Sequence, residues 1–139
     1  TQSDSLPRAT LTGLGIAGGV GSVTISTTSG VTTYTVTVAS YYGSNYFYID
    51  GSRAATLSLS EGSTYKFDQS DSSNSGHPLR FSTTSDGTHG SGSEYTTGVT
   101  TSGTPGSSGA YTQIEVASGA PTLYYYCTNH SGMGGQINT

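Results

Sequence analysis

From Val31 to Ala39 the chain alternates with a period of two. Tyr34, Val36 and Val38 fall on one side, and Thr33, Thr35 and Thr37 on the other. Such alternation marks a half-buried β-strand. The preceding segment, Val20 to Thr28, puts Val23 and Ile25 on one face, and Ser29-Gly30 separates the two runs, so a β-hairpin is expected there. Further strands are predicted at Tyr46–Ile49, closed by the turn signal Asp50-Gly51, and at Thr56–Ser60, where Leu57 and Leu59 alternate before Glu61-Gly62. Thr64–Asp68 sets Tyr65 and Phe67 on one face, and Leu79–Ser82 carries Leu79 and Phe81. The stretch 83–109 is rich in Gly, Ser and Thr and reads as loop, with one short strand near Tyr95–Val99. Tyr111–Ala117 alternates again. Thr122–Cys127 is a continuous apolar and aromatic run, expected as a central strand buried on both faces.

Short strands between turn signals predict an all-β sandwich or barrel. Residues 1–30 are expected to be an N-terminal arm carrying the first hairpin strand and able to pair with a neighbouring subunit. Residues 31–139 are expected to be one β-sandwich domain. No internal repeat interrupts this division.

Composition narrows the possible functions. The 24 Ser, 24 Thr and 21 Gly make up half of the 139 residues, and only 9% are charged. A disordered Gly/Ser/Thr linker is the competing reading. The 11 Tyr oppose it, because they cluster in strand-like runs. Four Lys and Arg against eight Asp and Glu leave a net charge of −4, with no basic footprint for nucleic acid and no polybasic patch for a membrane. No apolar run approaches the length that inserts into a bilayer. No charged region followed by an apolar run opens the chain, so a leader peptide is expected to be absent or already removed.

The rare residues are concentrated. The single cysteine, Cys127, excludes an intrachain disulfide and opens the run Cys127-Thr128-Asn129-His130-Ser131-Gly132-Met133 directly after a predicted strand. His77 lies fifty residues earlier, at the start of another strand. One thiolate, two imidazoles and one thioether form the donor set of a blue-copper centre, in which His2Cys lies in a trigonal plane with a weak axial Met. A short loop leaving a strand can gather positions 0, +3 and +6 around one point, and the fourth donor then comes from a neighbouring strand end.

Other readings of these residues are plainer. Free Cys is often a buried structural thiol. His89 reads as an exposed loop residue. Asn129-His130-Ser131 matches the glycosylation pattern by chance, since a glycan there would crowd His130. Asp68 and Asp71 form no recognisable acid–base pair, and no nucleophile-elbow pattern occurs. Tyr124–Tyr126 reads as packing.

From about Tyr34 to Thr139 the chain resembles the cupredoxins. "TLSLSEGSTYKFDQSD" is similar to the strand–turn–strand that precedes the first ligand, and "SGHPLRFS" to the segment bearing the first His. "GAPTLYYYCTNHSGMGGQI" is similar to the closing strand, ligand loop and final strand. The resemblance implies a Greek-key β-sandwich binding one copper ion. It implies His77, Cys127 and His130 as equatorial ligands and Met133 as the axial one. Pro78 stands where small blue copper proteins carry an Asn that ties the two ligand loops together. The tie must then come from elsewhere, with Asn74 as the candidate.

The chain is also similar to cupredoxin-like modules of marine phage structural proteins, through "YIDG", "SGHPLRFSTTSDGTH" and "YYYCTNHSGMGG". That implies a structural component of a virion surface or extracellular appendage, with neighbouring subunits or self-association as partners. The alternative is a soluble electron carrier of periplasmic type. A third reading is adhesion to a glycan through exposed Tyr and the 83–109 loop. No enzymatic role is expected, because four protein ligands leave no open position for a substrate.

Overall fold

In the computed structural model of the chain, residues 30–139 are described. They form eleven strands and two short 3₁₀ turns. The strands are β1 (Val31–Tyr41), β2 (Ser44–Ile49), β3 (Ser52–Arg53), β4 (Leu57–Ser58), β5 (Thr64–Asp68), β6 (Leu79–Ser82), β7 (Glu94–Tyr95), β8 (Val99–Ser102), β9 (Tyr111–Glu115), β10 (Leu123–Cys127) and β11 (Gly135–Asn138). One sheet has the order β3-β2-β1-β5-β9-β8 and the other β4-β11-β10-β6-β7. Both are mixed, since β1 runs parallel to β5 and β4 parallel to β11. The arrangement is a β-sandwich-like, nearly all-β fold. No helix among the described residues is long and apolar enough to cross a membrane.

The predicted faces hold. Val36, Tyr65, Phe67, Phe81 and Ile114 are fully buried, and the neighbouring Thr35, Thr37, Thr64 and Lys66 lie outside or at the margin. Phe67 sits at the centre of an aromatic group, with ring centroids 5.1 Å from Tyr34, 5.4 Å from Phe81 and 6.4 Å from Tyr125. Tilted and edge-on pairs of this kind contribute about 0.5–1.5 kcal/mol each beyond area burial. The run Leu123–Cys127 is the central strand of its sheet, between β11 and β6, and only Tyr124 is less than buried.

Several expectations change. The first strand of the Val20–Thr28 hairpin lies outside the described residues. Within them, β1 pairs with β2 over Val36–Tyr41 and with β5 over Val31–Thr35. The β1–β2 connection is the two-residue turn Tyr42-Gly43, both at positive φ (49° and 83°). Tyr is not a recognised residue for such a turn, which hid it from the pattern. The predicted Asp50-Gly51 turn does form, with φ 48° and 86°. Thr56–Ser60 is strand only at Leu57–Ser58, although Leu57 and Leu59 are both buried as expected.

The strand expected near Tyr95–Val99 is replaced by two short strands. β7 belongs to one sheet and β8 to the other, so residues 96–98 carry the chain across the sandwich. Gly98 (φ 71°) makes that crossing possible: a β-carbon there would strike the carbonyl oxygen of Glu115.

Two features place the site. Where β1 leaves β5, its backbone groups are taken by the 3₁₀ turn Ser72–Asn74: Val38 N–H donates to Ser73 Oγ (2.9 Å) and Asn74 Nδ2 donates to the Val36 carbonyl (2.7 Å). These bonds fix the segment just before His77. In the second sheet, Cys127 at the end of β10 faces Leu79 at the start of β6. His77, two residues ahead of Leu79, therefore meets Cys127 at one end of the sandwich.

Candidate metal centre

At that end the Cys127 Sγ lies 3.7 Å from His77 Nδ1 and 3.5 Å from His130 Nδ1. All three donor atoms lie within 4.8 Å of one another. The imidazole rings are 4.7 Å apart, centroid to centroid. Donors placed about 2.0–2.3 Å from one ion, in a trigonal or tetrahedral arrangement, stand roughly 3.3–4.0 Å from each other. The two sulfur–nitrogen separations fall inside that window. Cys127 is buried, His77 partly buried and His130 exposed. This His77, Cys127 and His130 group can hold a metal ion.

The electrostatics keep the His77 nitrogen available. Burial, together with the nearby His130, pushes the His77 pKa down, favouring the neutral imidazole that a ligand must be. Burial pushes the Cys127 thiol up. The backbone N–H groups of Asn129 and His130 oppose this by donating to the sulfur, and the Asp86 carboxylate adds to the rise. A bound cation would reverse this balance, since a coordinating thiol is deprotonated outright.

The ligand loop, 128–134, has no regular structure of its own, so its shape is imposed by neighbours. Thr128 N–H donates to the Pro78 carbonyl (3.1 Å), extending the β6–β10 ladder by one bond. Asn129 Nδ2 donates to the Gly76 carbonyl (3.0 Å). Phe47 N–H donates to the Met133 carbonyl (2.9 Å), tying the loop to β2.

The structure thus brings His77, Cys127 and His130 together. Met133, the fourth candidate, is buried and lines an open pocket of about 380 Å³ with His130, Tyr46, Ser44 and Asn45. Asn74 does not tie the ligand loops. Its amide donates to the carbonyls of Val36 and Asp71, and its oxygen accepts from Gln69 Nε2. It therefore holds the His77 segment against β1. The tie between the loops is made by Asn129, whose side-chain nitrogen is occupied by Gly76.

Besides Asn129, three contributors were missed by sequence reasoning. Gln69 is buried and its side chain bonds only to this end of the sandwich: Nε2 donates to Asn74 Oδ1 (2.9 Å) and the His77 carbonyl (2.8 Å), and Oε1 accepts from Leu79 N–H (3.0 Å). His89 is exposed, as expected, but its Nε2 lies 2.8 Å from the Cys127 carbonyl. Asp86 Oδ1 accepts from Gly132 N–H (2.9 Å). A polar residue in a Gly/Ser-rich loop carries no periodic signal, so only the fold could reveal these roles.

No protein-family model, curated protein or solved structure matches this chain.

Proposed function

We propose that this chain is a cupredoxin-like Greek-key module that binds one copper ion through His77, Cys127 and His130, with Met133 as the weak axial ligand. It would serve as a structural or surface component of a larger extracellular or virion assembly. The observation that carries the copper reading is the pair of 3.5 and 3.7 Å separations between the Cys127 sulfur and two Nδ1 atoms brought from different loops. The donor chemistry supports copper over zinc: zinc suits thiolate and imidazole equally, but the Met133 thioether, in a residue that lines one pocket with His130, suits Cu(I).

Bound there, copper would supply a one-electron couple. The chain's own part is to hold the donors. Asn129 and Thr128 fix the ligand loop to the His77 loop, Gln69 fixes His77 from behind, and the two backbone N–H groups at the sulfur stabilise a thiolate. The assembly role is supported by the sparsely charged Ser/Thr surface and by residues 1–30, which precede β1 and offer a segment for a neighbouring copy.

The exposure of His130 beside the open pocket favours one second reading, a diffusing electron carrier that would exchange electrons at this imidazole. Elemental analysis after Cu(II) addition, with Cys127→Ser as control, tests the metal. One equivalent of copper and an intense thiolate-to-copper absorption, both lost in the variant, are expected. A colourless, copper-free wild type would overturn the reading. Native mass then separates the two roles: assembly into multimers supports the structural one and a monomer supports the carrier.

A further inference from the structure

The loop between β6 and β7 meets the ligand segment at three places. At the start of that segment, His89 Nε2 lies 2.8 Å from the Cys127 carbonyl. A carbonyl only accepts, so Nε2 carries the hydrogen. Near the end of the segment, Asp86 Oδ1 accepts from Gly132 N–H at 2.9 Å. Beside the first contact, Gly87 lies against the Tyr126 ring so closely that a β-carbon would run into it.

The loop is braced internally. Gly87 N–H donates to the Thr84 carbonyl (2.9 Å), His89 N–H to Asp86 (3.0 Å) and Gly92 N–H to Gly87 (3.0 Å). Asp86 (φ 63°) and Ser91 (φ 70°) both take the left-handed conformation, which reverses the chain on either side of the 3₁₀ turn Gly87–Gly90. β-Carbons on Gly90 and Gly92 would collide with Ser85 and Thr84, so the loop closes only with glycine at these points.

The remaining ties to the ligand segment come from elsewhere: 76–78 holds Thr128 and Asn129, and β2 holds Met133. Neither holds Gly132. That residue lies between His130 and Met133 in sequence, so the position of its peptide sets how far apart those two side chains stand.

We propose that the 84–92 loop is a clamp on the ligand segment, with Asp86 and His89 as positioning residues of the metal centre. The proposal rests on the copper reading for what is bound there, but the clamp acts on the metal-free chain as well. Asp86 fixes the Gly132 peptide and with it the spacing of His130 and Met133. His89 fixes the Cys127 peptide and with it the exit of the chain from β10.

The test uses the full metal-free chain and amide hydrogen exchange. Asp86→Gly removes the acceptor and keeps the left-handed backbone unstrained, whereas Asp86→Asn keeps both an acceptor oxygen and the conformation. The Gly132 amide should exchange about five-fold faster in D86G and return to the wild-type rate in D86N. The Thr128 amide should respond in the same way to His89→Ala and be rescued by His89→Gln, which can still donate. The Ile114 amide, in the core of the other sheet, reports global stability and should not move. Gly132 exchange unchanged in D86G, or D86N as fast as D86G, would overturn the clamp. A wild-type chain that takes up no copper would overturn the copper reading alone and leave these metal-free rates to decide the clamp.

Discussion

The side-chain amide of Asn129 donates to the backbone carbonyl of Gly76 at 3.0 Å, across fifty-three residues of sequence. This bond joins the loop that carries His77 to the loop that carries Cys127 and His130. It does so from the ligand loop's side, at a position where Pro78 offers neither a side-chain donor nor a backbone N–H.

Asn129→Leu keeps the volume and removes the donor. Metal affinity should fall about 10–100-fold, the usual cost of losing an outer partner of a ligand. Competition with a chelator measures it. The melting temperature should change little, because the bond is solvent-exposed. An affinity within two-fold of wild type would remove Asn129 from the site.

Gln69→Leu should be costly to the fold. It leaves the Leu79 N–H, the His77 carbonyl and Asn74 Oδ1 without this partner at a buried place. An orphaned buried polar group costs about 1–3 kcal/mol, so a loss of about 2–4 kcal/mol is expected in urea unfolding. A change under about 1 kcal/mol would show that water takes over these bonds.

Tyr125 makes stability fall at high pH. Burial raises its phenol well above the usual value, and its hydroxyl donates to the Ala55 carbonyl at 2.7 Å. The folded chain therefore keeps a proton that the unfolded chain releases near pH 10. Stability from this group is full below pH 10 and is lost as pH rises beyond it. Tyr125→Phe should cost about 1 kcal/mol at neutral pH and flatten the alkaline decline. Unfolding curves at pH 8, 10 and 11 give both numbers, and an unchanged alkaline slope in the variant would contradict the assignment.

Tyr42→Asn should stabilise the chain. Tyr42 is 93% exposed and sits at φ 49° in the two-residue turn between β1 and β2. Asn followed by Gly is the preferred pair for such a turn, and a bulky residue at positive φ is strained. A gain of about 0.5–1 kcal/mol is expected by thermal or chemical denaturation. A loss of stability would mean that the Tyr42 contact with Tyr41, at 4.5 Å between ring centroids, outweighs the strain.

Much of this protein was legible in the order of its residues. Period-two alternation at Val31–Ala39, Thr64–Asp68 and Tyr111–Ala117 determined which side chains face the core, because a strand's side chains must alternate and burial selects one face. The apolar run ending at Cys127 determined a central strand, and the Cys-x2-His-x2-Met spacing marked the loop after it as the place for donor chemistry. The tertiary structure alone decided the rest. The pairing of β10 with β6 set Cys127 opposite Leu79 and so brought His77 within 3.7 Å of the sulfur. The crossing of the chain between sheets at 96–98, the reach of Asp86 and His89 onto the ligand segment, and that of Asn129 from it to Gly76 have no local signature. They are single hydrogen bonds and steric fits between residues distant in sequence, and such contacts exist only once strand pairing has fixed the distances between them.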